Sequence, residues 1–82
     1  MREERRREDA IKTFGLVIKE HRLQRGLSQD DLASLIGMDR AHLSLLETGK
    51  KQPTLSTIFN VCVELGVEVS VVFAEIERRI ES

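Results

Sequence analysis

Apolar residues recur along this chain at spacings of three and four, and the recurrence is broken at regular intervals. Over residues 9–25 the positions Ile11, Phe14, Ile18 and His21, with Val17 beside them, fall on one face of a helix. Gly26 follows as a stop, and the basic residues before it suit the negative end of a helix dipole. Ser28, with Asp31 three positions on, reads as an N-cap with an acidic partner, an Asp form of the capping box. Leu32, Ala33, Leu35 and Ile36 give that second helix its inward side. Gly37 then ends it, since glycine takes a positive φ at little cost. Asp39 reads as the cap of a third helix over 40–47, with Leu43 and Leu46 turned inward. Residues 48–53 form a loop, after which Thr54 caps a fourth helix ending at Gly66. Its stripe is Leu55, Ile58, Val61, Cys62 and Leu65.

Residues 67–73, VEVSVVF, admit two readings. The first residues alternate apolar and polar as in a strand. Val69, Val72, Phe73, Ile76 and Ile80 fit helical spacing instead, and AEIERRIES is strongly helix-forming. A helix over 69–80 is the better fit; a strand over 67–72, pairing with a second chain, is the rival.

Eighty-two residues make a single small domain with a thin core. A charged extension over 1–8 precedes the domain at 9–82. No apolar run approaches the ~20 residues needed to cross a bilayer, and the N-terminus lacks the apolar segment of a secretory signal, so a cytoplasmic location is expected. One cysteine, Cys62, excludes an intrachain disulfide and any Cys-rich zinc site. His21 and His42 stand apart, and no Gly-rich phosphate loop or nucleophile–base arrangement appears. Neither enzyme activity, a metal nor a cofactor is expected.

The formal net charge is −1, whereas nucleic-acid binders usually carry a basic balance. The distribution changes the picture. Residues 1–18 hold five basic and four acidic groups, and 19–53 hold six and five. Residues 54–82 hold only Arg78 and Arg79 against Glu64, Glu68, Glu75, Glu77 and Glu81. The acidic excess lies at the C-terminal end, leaving room for a positive face elsewhere.

The second and third helices are about two turns each, too short to persist alone. Joined by a tight turn, they form a helix-turn-helix at about 28–47, in which one helix braces the other. Here a family resemblance is carried by Phe14, Ile18, Arg22, Gly26-Leu27-Ser28-Gln29, Leu32-Ala33, Gly37 and Leu43-Ser44. It continues through Glu47, Gly49, Pro53, Leu55, Leu65-Gly66-Val67 and Phe73. In order and spacing this string resembles the Cro/C1-type (XRE) DNA-binding family of phage repressors and restriction–modification controller proteins. The resemblance implies an all-α, compact five-helix, lambda-repressor-like domain that binds double-stranded DNA and regulates transcription.

It also implies roles. Arg22 and Glu47 correspond to a structural ion pair. Arg40, Ala41, Ser44 and Leu45, on the face opening the third helix, correspond to base contacts. Arg40 suits guanine O6 and N7, and Ala41 a thymine methyl; Leu45 either touches a thymine methyl or widens the core stripe. Backbone contacts fall to Ser28, Gln29, His42, Lys50, Lys51, Gln52 and Thr54, with the start of a helix favouring phosphate at Gln29. His42 reads equally as a half-exposed filler, and His21 as a core or boundary histidine.

A single short recognition helix reads few base pairs, so family members dimerise on paired half-sites about one helical turn apart. Phe59, Val63 and Val71, apolar and off the core stripe, are candidates for a homodimer interface. A toxin protein or RNA polymerase is a further possible partner. The alternative function is an antitoxin-type repressor that binds a toxin first and DNA second; a strand at 67–72 would favour it.

Overall fold

A computed structural model describes residues 2–81, and within them the chain is five α-helices: α1 (Arg2–Gln24), α2 (Gln29–Leu35), α3 (Arg40–Glu47), α4 (Leu55–Leu65) and α5 (Val69–Glu81). Met1 and Ser82, the ends of the expected segments 1–8 and 9–82, lie outside the described residues. No strand occurs among the described residues, and positions 69–72 form the first turn of α5. No single described helix is long and apolar enough to cross a membrane.

The largest departure from the periodicity is at the front. α1 begins at Arg2, not near residue 9. The preceding run consists of arginine, glutamate and aspartate, with no glycine or proline to stop it. Once a helix is nucleated, such residues extend it at one hydrogen bond each. Apolar spacing cannot detect this, because residues 2–9 include no apolar residue to set a period.

The other boundaries follow local chemistry. Ser28 Oγ accepts from the Asp31 N–H at 3.0 Å, while Asp31 Oδ2 accepts from the Ser28 N–H at 2.9 Å, closing a capping box on α2. The bond from the Ser28 N–H, with the nearby Ser28 hydroxyl, holds the Asp31 carboxyl below its ordinary pKa. Gly37, at φ +67°, turns the chain between α2 and α3. Asp39 takes the backbone N-cap conformation before α3, but its carboxylate makes no capping bond. Thr54 Oγ1 accepts from the Thr57 N–H at 3.1 Å and caps α4.

The core joins Phe14, Val17 and Ile18 of α1 to Leu32, Ala33 and Ile36 from the α2 side and Leu43 of α3. Val61, Cys62 and Leu65 of α4 and Val72 and Ile76 of α5 close it. Three residues on the expected inward stripes are exposed instead: Leu35 (52%), Leu55 (68%) and Phe73 (42%). Leu32, Ala33 and Ile36 fill the narrow arc that the two turns of α2 can bury, leaving Leu35 at its edge. Leu55 occupies the first turn of α4, beyond the buried part of that helix. On α1, Arg22 takes the buried place that spacing gave to His21, which is half-buried with Nε2 3.5 Å from Glu75.

One packing feature positions α3. A Cβ on Gly15 would sit 2.6 Å from the Glu47 carbonyl oxygen and closer still to that of Leu46. The α1 backbone therefore crosses directly over the last turn of α3, an approach only glycine permits.

Candidate nucleic-acid interface

The last residue of α3 is a buried carboxylate, and a buried carboxylate requires partners. Arg22 Nε donates to Glu47 Oε2 at 2.7 Å, and Arg22 Nη2 donates to Oε1 at 3.0 Å, a bidentate pair with both residues only 5% exposed. Arg22 Nη1 donates to the Leu27 carbonyl at 2.8 Å, and Gln29 Nε2 donates to Glu47 Oε1 at 3.0 Å. The end of α1, the turn before α2, the first residue of α2 and the last of α3 thus share one charge-assisted cluster. No buried side-chain nitrogen or oxygen among the described residues lacks a partner.

The cluster fixes the angle between α2 and α3 and leaves the opposite face of α3 outward. Arg40 and Ala41 are exposed, Leu45 is 41% exposed, and Ser44 is half-buried. Arg40 Nε lies 3.9 Å from Asp30 Oδ1, with both side chains well exposed, a contact weak enough to be exchanged for a ligand. His42, half-buried, lines a polar groove with Asp39, Ser56, Thr57 and Asn60. Asn60 Nδ2 donates to the Ile36 carbonyl at 3.2 Å, tying α4 to the turn between α2 and α3.

The loop after α3 is anchored to it. The N–H groups of Lys50 and Lys51 both donate to the Leu45 carbonyl, at 2.9 and 3.2 Å. Lys50, Lys51, Gln52 and Thr54 are exposed beyond that anchor. The hydroxyls of Ser28 and Thr54 serve as caps, and Gln29 has committed one amide hydrogen to Glu47, keeping the other. Phe59 (51% exposed) and Val63 (72%) share a face of α4, and Val71 (48%) is exposed on α5. They belong to helices other than α2 and α3.

Two residues escaped the sequence pattern. Gly15 sets the close approach of α1 to α3, yet within an amphipathic pattern it reads only as a weak helix position. Asp30, facing Arg40, is visible only once α2 and α3 are folded against each other. The possible strand at 67–72, which would have favoured a toxin-binding antitoxin, is absent because residues 69–72 are helical.

Comparison with known proteins agrees with this geometry. The helix-turn-helix family model matches residues 18–72. The control protein C.MunI of a Mycoplasma species is 33% identical over 66 residues, covering 79% of this chain and 89% of that protein. The ImmF control region 10 kDa protein of Bacillus phage phi105 is 30% identical over 60 residues, covering 73% and 67%. The restriction–modification controller protein C.Esp1396I, solved as a tetramer on its natural 35 base-pair operator, superposes with a TM-score of 0.78 at 27% identity. That match covers 89% of this chain and 96% of the controller.

Proposed function

The chain belongs to the XRE-type helix-turn-helix family of DNA-binding transcription regulators, and from that premise we propose that it binds its operator as a homodimer, setting α3 of each copy in the major groove of a half-site. The observation that carries this reading is the anchoring of α3: its inner end is locked by Arg22, Glu47 and Gln29, and its outer face is exposed. A reading helix has to be rigid on its scaffold and open toward the groove.

Arg40 supplies the base contact of greatest specificity, its guanidinium matching guanine O6 and N7; Ser44 bonds to a base edge or phosphate. Lys50, Lys51, Gln52 and the starts of α2 and α4, at Ser28, Gln29 and Thr54, face the phosphates, and His42 adds a contact from its groove. Phe59, Val63 and Val71 meet their counterparts in the second copy. C.Esp1396I is a tetramer on its operator, which supports assembly of this chain on DNA in more than one copy. The chain's acidic excess, at residues 54–82, falls in α4, α5 and the turn between them, the helices being those assigned to the dimer contact.

Selection of duplexes from a random pool, followed by salt titration, tests the reading. Arg40→Ala is expected to cost about 1–3 kcal/mol on the selected duplex and to relax one base position. Lys50→Ala should weaken all duplexes alike and lower the salt slope by about one. Enrichment of no sequence, or an equal loss for Arg40→Ala on random and selected duplexes, would remove Arg40 from base reading.

A further inference from the structure

We propose that Asp30 is a specificity-determining residue: set beside Arg40, it directs the arginine toward an uncharged base edge and away from a backbone phosphate. The proposal rests on the operator-binding reading and adds to it a residue outside α3.

The start of α2 is capped without Asp30. Ser28 and Asp31 close the capping box on each other, and the Asp30 carboxylate takes no part in it. The Asp30 side chain is 78% exposed, and the cation it meets belongs to the next helix: its Oδ1 lies 3.9 Å from Arg40 Nε. At that distance the contact is electrostatic and not a hydrogen bond. It is placed by the backbone. Asp30 follows Gln29, whose amide donates to Glu47 Oε1 at 3.0 Å, so the start of α2 is tied to α3. The carboxylate therefore lies beside the arginine before any ligand arrives.

The atom involved decides what the pair can do. The carboxylate is nearest Nε, and among the described residues no partner takes Nη1 or Nη2 of Arg40. A guanidinium carries its N–H donors in a planar fork, and all but one of them are on those two nitrogens. The end of the fork is thus open to an acceptor while its side faces Asp30. Guanine O6 and N7 form an uncharged acceptor pair, so the arginine can take it with the carboxylate still beside Nε. A phosphate held by the same fork brings a second negative charge close to the first, and the two repel. The pair is therefore compatible with a guanine edge and opposes a phosphate grip, the contact that dominates on unrelated sequences.

An acidic residue in a first turn also suits the helix dipole. That effect changes stability and leaves the ratio of affinities on two duplexes as it was, which separates the two roles.

The experiment measures dissociation constants of the full chain on its selected duplex and on a random-sequence duplex, across a salt series. Asp30→Asn should bind the random duplex about threefold to fivefold more tightly, the upper range for one exposed charge pair, with no gain on the selected duplex. Its salt slope on the random duplex should steepen by about one, as Arg40 takes up a phosphate. Asp30→Glu, which keeps the charge, should keep the wild-type ratio. In an Arg40→Ala background, Asp30→Asn should leave the ratio unchanged. Asp30 is exposed, and circular dichroism with thermal melting establishes that each variant is folded before binding is read. An equal gain on both duplexes, an unchanged slope, or the same effect of Asp30→Asn without Arg40 overturns the proposal. A ratio lost as fully in Asp30→Glu as in Asp30→Asn does so too. In each of these cases a chain that still prefers its selected duplex leaves the regulator reading intact, whereas selection of no duplex removes that reading and the proposal together.

Discussion

At the scale of single residues, the contrast between two glutamates shows how burial decides the worth of a charge. Glu47 is 5% exposed and receives three hydrogen bonds, two from Arg22 and one from Gln29. Truncating it strands the Arg22 guanidinium in the interior, so Glu47→Ala should destabilise by about 3–5 kcal/mol. Glu20 meets Arg79 through two bonds, at 2.6 and 3.2 Å, but its side chain is 44% exposed, and Glu20→Ala should cost less than about 1 kcal/mol. Urea unfolding of the two variants at neutral pH checks the ranking; equal losses would refute it. Glu20 also carries a pH signature. The hydrogen bond from Arg79, aided by its charge, holds the Glu20 carboxyl below its ordinary value of 4.5. A lowered folded pKa means that the contribution is complete above the unfolded value and is lost as pH falls through the folded one. The stability gap between wild type and Glu20→Gln should therefore be constant near pH 7 and shrink below about pH 4.5.

At the scale of elements, α1 and α3 depend on a glycine whose role opposes its intrinsic preference. Alanine exceeds glycine in helix propensity by about 1 kcal/mol, so propensity alone makes Gly15→Ala stabilising. The new methyl would instead overlap the carbonyl oxygens of Leu46 and Glu47, which are backbone and cannot rotate aside. Gly15→Ala is expected to destabilise by about 1–3 kcal/mol, the range for overpacking, and to weaken duplex binding beyond the loss of folded protein, because α3 is displaced. Thermal melting with a binding isotherm on the folded fraction measures both; a raised melting temperature would show that α1 and α3 do not touch there. The same pair of helices shows what was legible in the sequence. Caps and glycines located α2, α3 and α4 to within a residue or two, because each boundary is decided by neighbours in the chain. The start of α1 was not legible, since a charged helical turn leaves no periodic trace. Spacing identified the buried face of α2 but not its width, which placed Leu35 wrongly; that width is set by the helices around it. The partnership of Arg22 and Glu47 spans 25 positions and has no local pattern. It was legible only through family resemblance, and Gly15, whose constraint comes from another element's backbone, was not legible at all.

At the scale of the whole molecule, apolar surface not used in the core bears on assembly. Phe59 and Val63 lie four residues apart on α4 at 51% and 72% exposure, and Val71 adds a third exposed apolar side chain on α5. A chain of this size has little core to spare, yet it leaves these residues outside while burying Val61, Cys62 and Leu65 of the same helix. Because none of the three supports the core, their effect on association is separable from their effect on folding. Phe59→Asp with Val63→Ser should leave the helical content and the unfolding midpoint of the isolated chain close to those of its monomer. If the proposed homodimer forms through these residues, the pair should raise its dissociation constant by at least about tenfold, as loss of a central aromatic anchor costs about 1–2 kcal/mol or more. Sedimentation equilibrium reads the dissociation constant directly. Binding to a two-half-site duplex should fall in parallel, while binding to a single half-site stays unchanged, since the face of α3 proposed to read it is untouched. Loss on the single half-site as well would mean that α4 supports α3 directly and that the apolar face of α4 is structural, not a contact between copies.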